Sequence, residues 1–290
     1  MIKKFFRVDG PAIISFSGGR TSGYMLYHIL EAYDGKLPDD IKVAFANTGK
    51  EMPQTLDFVQ RCSEEWNVPI VWLEYKTEQN KDKLRHTYIT VDYNSASRNG
   101  EPFAMLIKAR NSLPYPVARM CTQELKVKPI EKFCKDVGLV DFYNIVGLRA
   151  DEPRRVSNIR KSPDLKGCLS REVPLADAGV TVQDVSDFWK AHPFDLELEN
   201  INGSTPMGNC DLCFLKNLPK ISGIIRDNPE LADWWIQAEH MIPHKNKPNG
   251  FMTFRTDRPS YENILKMTKQ QGDLFKGMPE EDTISCMCTD

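Results

Sequence analysis

The chain has 290 residues, 41% of them hydrophobic, and a formal net charge of −2. A chain of this length buries a large core, in one big domain or two smaller ones. The near-neutral balance excludes a polyanionic tail and a strongly basic nucleic-acid binder, and no apolar run reaches the length of a membrane span.

Met1–Arg7 lacks an h-region of secretory length, so the cytoplasm is the expected location, with no membrane contact. The apolar run Ala12-Ile13-Ile14-Ser15-Phe16 predicts a strand. It empties into Ser17-Gly18-Gly19-Arg20-Thr21-Ser22, and Tyr24–Leu30 then reads as a helix. Such a turn presents backbone N–H groups at a positively polarised helix start, where a phosphate can sit. Its two glycines allow close approach, and Ser17 and Ser22 add hydroxyl donors. The spacing is neither a Walker A loop nor G-x-G-x-x-G. A plain Gly-Gly turn is the alternative reading.

Further strands are predicted near 41–46, 69–74 and 142–148, with helices near 53–66 and 127–137 between them. This alternation implies right-handed βαβ units and an α/β fold on a parallel sheet covered on both faces. The turns Asn47-Thr48-Gly49 and Gly147-Leu148-Arg149 also follow strands, so all three turns are expected to face one crevice at a topological switch point. Residues 76–101 read as a polar excursion over that face. From about residue 179 the strand pattern stops and helices follow, so the expected division is an α/β domain over 1–178 and a helical region over 179–290. There is no internal repeat and no low-complexity linker, and the residues after about Gly272 read as a tail.

Eight cysteines are too few and too unevenly spaced for a disulfide scaffold in a chain this long. Cys62 and Cys134 fall on apolar helical stripes and read as packing thiols, while Cys168 has no sequence neighbour to pair with. Cys210 and Cys213 form a C-x-x-C knuckle, for which metal binding is favoured over a redox pair. The five histidines form no ligand pattern, and Trp234-Trp235 reads as packing surface. Arg149, Arg154, Arg155, Arg160 and Lys161 crowd one loop after a strand. Arg149 is the expected phosphate contact by its bidentate fork, and Asp151 or Glu152 either orients it or holds Mg²⁺.

The hexapeptide Ser17–Ser22 resembles the PP-loop of the ATP pyrophosphatase and sulfonucleotide reductase superfamily. Four later segments are similar, in the same order, to those of 3′-phosphoadenosine-5′-phosphosulfate (PAPS) reductases: Val43–Pro53, Cys121–Ile130, Ile145–Glu152 and Val173–Val185. Asn47 stands where those enzymes usually carry Asp, which removes a charge. The resemblance implies ATP, with Mg²⁺, bound by Ser17, Gly18, Gly19, Arg20, Thr21, Ser22, Asn47, Thr48, Gly49, Gly147 and Arg149, and catalysis by Ser17, Arg149 and Asp151. It also implies a [4Fe–4S] cluster, with zinc as the alternative, on Cys121, Cys210 and Cys213; Met120 occupies the place of a second family cysteine. A fourth ligand would come from the tail, Cys288 or Cys286, which alternatively carries persulfide sulfur or does nothing.

The function implied is an ATP pyrophosphatase that adenylates an acceptor for sulfur transfer. Nucleic-acid thiolation such as DNA phosphorothioation is the expected chemistry, with a cysteine desulfurase as sulfur donor. A genuine PAPS reductase is the first alternative, set back by the absence of an E-C-G-x-H-like motif around Cys286-Met287-Cys288. A zinc-stabilised nucleic-acid adaptor is the second. Acceptor identity and oligomeric state are not legible.

Overall fold

A computed structural model describes residues 2–80, 83–161, 165–244 and 250–271. After a 3₁₀ turn (Ile2–Phe5), the chain runs β1 (Ala12–Ser15), α1 (Arg20–Ala32), β2 (Ile41–Asn47) and α2 (Pro53–Glu65). β3 (Ile70–Asn80), β4 (Lys83–Val91) and α3 (Glu101–Arg110) follow. A helical turn α4 (Met120–Thr122) passes through a π-helical turn (Gln123–Val127) into α5 (Lys128–Asp136). Then come β5 (Phe142–Val146), α6 (Pro153–Arg160), β6 (Cys168–Glu172), α7 (Pro174–Asp177) and α8 (Val182–Ala191). The last described helices are α9 (Leu218–Asp227), α10 (Ala232–His240) and α11 (Tyr261–Gln271).

One six-stranded sheet has the order β4-β3-β2-β1-β5-β6. Every pairing is parallel except β3 with β4. β1 lies in the middle: Ile14 is opposite Val43 of β2 on one side and Ile145 of β5 on the other. The strand order reverses there, because β2 and β3 build outward one way and β5 and β6 the other. Both faces are covered, and Ile13, Ile14, Ala44 and Ile145 are fully buried, as a parallel sheet requires.

The polar stretch 76–101 differs from expectation. It extends β3 and returns as the edge strand β4, and then enters α3. This edge hairpin is half exposed on both faces, so its residues lack the apolar alternation that marks a strand in sequence. α5 supports it through the Tyr88 hydroxyl, which donates to Asp136 at 3.0 Å.

A second apolar cluster holds α3, α9, α10 and α11 together around Phe103, Trp235, Phe254 and Tyr261. Glu239 sits inside it, 1% exposed, and accepts the backbone N–H groups of Phe254 at 3.2 Å and Tyr261 at 3.0 Å. Burial pushes this carboxyl up to about 7 from 4.5, against the pull of those two donors and Arg258 and with a small push from Glu262. A raised acid binds its proton more tightly folded than unfolded. Its contribution to stability is therefore full below pH 4.5 and lost as pH rises through about 7. Urea unfolding of the parent and of Glu239→Gln between pH 5 and 8 checks this: the parent is expected to lose up to about 3 kcal/mol more than the variant over that range. Parallel pH profiles would refute it.

Candidate functional site

The loop Ser17–Ser22 leaves the end of β1 and becomes the first turn of α1, whose first N–H groups have no intrahelical acceptor. Ser17 and Gly19 are half exposed, while Ser22 is fully buried. The Ser22 hydroxyl occupies the middle of the loop. It accepts from Ser17 Oγ at 2.9 Å and from the N–H groups of Gly19 at 3.2 Å and Ser17 at 3.3 Å, and donates to Gly19 O at 2.9 Å. The two N–H contacts are long, so an anion that takes their place gives up little hydrogen bonding. Gly18 has φ +79°, and a Cβ there would lie 2.8 Å from Thr55 Cγ2 and 3.0 Å from Val59 Cγ2. A β-branched residue at Gly18 would thus disturb the core as well as the loop, so it is no clean test of nucleotide binding.

Gly147 follows β5 and passes close to α1. An added Cβ would lie 3.3 Å from Ser22 Cα. This approach brings Arg149 over the loop, where its guanidinium donates to Thr21 Oγ1 at 2.9 Å. Asp151 holds the same guanidinium through Nε at 3.0 Å, and its other oxygen accepts Val182 N–H at 2.8 Å, at the start of α8. Glu152 accepts the Arg149 N–H at 3.0 Å. The juxtaposition of Ser17–Ser22 with Gly147–Arg149 is therefore built as expected, and Asp151 has the geometry of a residue that orients Arg149.

Arg20 needs correction. Its side chain turns away from the loop into a buried pocket, 7% exposed. There it forms a bidentate pair with Asp195 at 2.7 and 2.8 Å, reaches Thr205 at 3.0 Å and Leu198 O at 2.8 Å, and also binds Leu196 O. The guanidinium is used up tying α1 to the segment 195–205. It offers a nucleotide only its main chain.

The turn after β2 is also corrected. Asn47, Thr48 and Gly49 are all buried, and their polar groups point into the fold. The Asn47 amide donates to Glu74 Oε1 at 2.6 Å and to Ser97 O at 2.8 Å, and its carbonyl accepts Gly49 N–H at 3.1 Å. Thr48 gives its N–H and hydroxyl to Glu51 Oε2 at 2.9 and 2.8 Å. This geometry accounts for Asn at position 47, since an Asp there would set its oxygen against the Glu74 carboxylate. Asn47→Asp is expected to cost about 2–4 kcal/mol of stability near neutral pH, with partial recovery in acid, as measured by denaturant unfolding. An unchanged midpoint at pH 7 would contradict this.

Sequence reasoning missed the ties between this turn and the C-x-x-C knuckle. Lys50 Nζ pairs with Asp211 at 2.8 Å, both buried, and Asp211 N–H donates to Lys50 O at 2.9 Å. Asp211 also accepts the Trp235 indole N–H at 2.7 Å. Cys210 Sγ lies 3.5 Å from Thr48 Oγ1. Lys126 Nζ is 3.8 Å from Glu51 Oε1, an oxygen that has no hydrogen-bond partner. The one signal in sequence was the charge inside the knuckle, Asp211, which such a short apolar-flanked loop must pair.

The cluster expectation for Cys121, Cys210, Cys213 and Cys288 is only partly met. Cys210 lies within the second apolar cluster, and Cys121 and Cys213 pack against it. Among the described residues, however, no three His, Cys, Asp or Glu side chains are grouped to hold a metal ion. The knuckle instead wraps the Lys216 ammonium, which donates to Gly208 O at 3.0 Å, to Asp211 O at 2.9 Å and to Cys210 O. Burial pushes the Cys210 thiol well above its ordinary pKa, and Glu51 and Cys213 add to the shift. Cys288 and Cys286 lie outside the described residues. Among the described residues, Cys121, Cys210 and Cys213 do not form a three-thiolate site.

The six described cysteines should alkylate in two classes. Cys121 and Cys213 are half-buried; Cys62, Cys134, Cys168 and Cys210 are buried, and burial holds the thiols of Cys62, Cys134 and Cys210 high. Iodoacetamide at pH 8 followed by peptide mass spectrometry is expected to label Cys121 and Cys213 at least about tenfold faster than Cys210. Equal rates at Cys210 and Cys213 would contradict the buried placement.

Residues 11–192 match the family model described as the phosphoadenosine phosphosulfate reductase domain. The chain is 30% identical over 288 residues to the uncharacterized nin region protein ORF290 of Escherichia phage lambda, covering 94% of this chain and 92% of that one. Similar solved structures include the phosphoadenylyl-sulfate reductase of Candida auris in a phosphate complex. That comparison has a TM-score of 0.43 and 18% identity over 67% of this chain and 81% of that one. Another is the U34-tRNA thiolase NcsA of Methanococcus maripaludis with its [4Fe–4S] cluster, with a TM-score of 0.37 and 15% identity over 94% of this chain and 89% of that one.

Proposed function

Because the chain belongs to the phosphoadenosine phosphosulfate reductase domain family, we propose that it is a PP-loop ATP pyrophosphatase that activates an acceptor for sulfur transfer. The observation that carries this reading is the Arg149 guanidinium held over the first turn of α1 by Thr21 and Asp151. A polyphosphate seated on the loop N–H groups would meet a cation fixed in advance, and positioning of this kind is most of the work in phosphoryl-group chemistry. The loop's own basic residue, Arg20, is spent on Asp195, so the loop lacks the lysine that a Walker A motif directs at the terminal phosphates.

In the proposed reaction an acceptor oxygen attacks the α-phosphorus of Mg²⁺-bound ATP and pyrophosphate leaves. Sulfur at the hydrosulfide level then attacks the acceptor atom, and AMP departs with the original oxygen. Ser17 contributes its hydroxyl and N–H at the loop mouth, Arg149 meets the developing charge, and Asp151 keeps Arg149 in place. A nucleic-acid acceptor, as in phosphorothioation, and a cysteine desulfurase as sulfur source are parts of this proposal, with a thiol reductant that takes the desulfurase's persulfide sulfur to the hydrosulfide level and is itself oxidised to a disulfide.

The family model also supports a second reading, reduction of PAPS itself. The products separate the two. With ATP, Mg²⁺, hydrosulfide and acceptor, AMP and pyrophosphate are expected, and Arg149→Ala should lower their formation about 10²- to 10³-fold while the far-UV spectrum stays unchanged. Release of ADP and phosphate would sink the pyrophosphatase reading. Sulfite formed from PAPS with a dithiol reductant at a comparable rate would establish the reductase.

A further inference from the structure

Sulfur transfer as proposed consumes hydrosulfide, yet a persulfide delivers its outer sulfur two electrons more oxidised. The C-x-x-C knuckle holds two thiols placed to supply those electrons. Cys213 N–H donates to Cys210 O at 3.3 Å, which closes residues 210–213 into a turn. A turn keeps its first and last Cα atoms within about 7 Å, the span that a disulfide bridges. Lys216 fixes the shape of this turn from inside, through the carbonyls of Gly208, Cys210 and Asp211. The two thiols differ in access, Cys213 being half-buried and Cys210 buried. Among the described residues no third metal-ligating side chain joins them.

Cys210 also has a route for its proton. The Thr48 hydroxyl gives its own hydrogen to Glu51 Oε2 at 2.8 Å, so in its 3.5 Å contact with Cys210 Sγ the S–H group is the donor. A chain of two hydrogen bonds thus runs from a buried thiol to a buried carboxylate. A backbone bridge between Glu51 and Cys210 holds its two ends together. Two incidental packing thiols would need neither the closed turn nor this route.

We infer that Cys213 and Cys210 are a sulfur-reducing dithiol, which releases hydrosulfide from a persulfide and closes to a disulfide. The Cys213 thiolate attacks the outer sulfur of the donor persulfide, taking it up as a protonated persulfide and releasing the donor as a thiolate. Cys210 Sγ then attacks Cys213 Sγ. The bond from Cys213 Sγ to the outer sulfur breaks, and that sulfur leaves with the bonding electrons as hydrosulfide. The proton of Cys210 passes through Thr48 to Glu51. Two thiols are oxidised to one disulfide, and the sulfur is reduced by two electrons. An external dithiol reopens the disulfide and is itself oxidised. Use of the hydrosulfide at the ATP site rests on the pyrophosphatase reading; the dithiol chemistry does not.

The test uses the full chain, reduced and freed of small thiols under argon, with one equivalent of glutathione persulfide and no ATP. About one hydrosulfide per chain is expected, with a Cys210–Cys213 disulfide mapped by alkylation and peptide mass spectrometry. Cys210→Ser should stop at a Cys213 persulfide, one sulfur atom heavier, and release hydrosulfide at least about tenfold more slowly. Thr48→Val should leave uptake of sulfur by Cys213 unchanged and slow hydrosulfide release at least about tenfold, with Thr48→Ser restoring the parent rate. Equal release by parent, Cys210→Ser and Thr48→Val would overturn the inference. So would full release that leaves glutathione on Cys213 and no bond between the two cysteines. Iron or zinc bound by the purified chain and lost in Cys213→Ser would also overturn it, because the thiols would then be ligands. AMP formation from ATP, with acceptor and added hydrosulfide, is assayed separately. Intact AMP formation without hydrosulfide release refutes the dithiol alone, and the reverse refutes the pyrophosphatase reading alone.

Discussion

Strand β1 hydrogen-bonds in parallel to β2 on one side and to β5 on the other, so the turns leaving β1 and β5 open at the same edge of the sheet, side by side. The Ser17–Ser22 loop has a partner only because of this pairing. Gly147 fits against Ser22, Arg149 reaches Thr21, and Asp151 steadies Arg149 while capping α8. A shift of β5 by one residue would exchange the side chains on its two faces and move Arg149 off the loop.

The C-terminal half is fastened to this edge by two ion pairs, one half-buried and one buried, as well as by apolar contact. Arg20 with Asp195 anchors the segment after α8 to the first turn of α1, and Lys50 with Asp211 anchors the knuckle to the turn after β2. Removing one member of such a pair leaves a charge without compensation, which costs far more than the pair contributes while intact. These two ties, with Lys216 filling the knuckle, make Cys210 part of the wall behind the β2 turn. The loop helix and the knuckle are thus mechanically coupled to the sheet at adjacent strand ends.

Long apolar runs made β1, β2 and β5 legible in the sequence, because a central parallel strand is buried on both faces and shows it in composition. The outer half of the β3–β4 hairpin was not legible, since an exposed edge strand carries no such signal. At the site, Ser17, Thr21, Ser22, Gly147, Arg149 and Asp151 come together as their positions after strands implied. Arg20, Asn47 and Thr48 have residue types that suit a ligand, yet their side chains are consumed elsewhere: Arg20 by Asp195 and Asn47 by Glu74, far away in the chain, and Thr48 by the nearby Glu51. A sequence names donors and acceptors without naming who reaches them first.

By itself the sequence determined the α/β sheet, the Gly-Gly turn at the end of its first strand and the family to which the chain belongs. Those follow from local patterns: apolar runs, a Gly-Gly turn and short ordered motifs, each read within a few residues. Only the tertiary structure decided which side chains remain open to the crevice and how the knuckle docks. Those depend on contacts between residues more than a hundred positions apart, such as Arg149 with Thr21 and Lys50 with Asp211, and no local pattern specifies them.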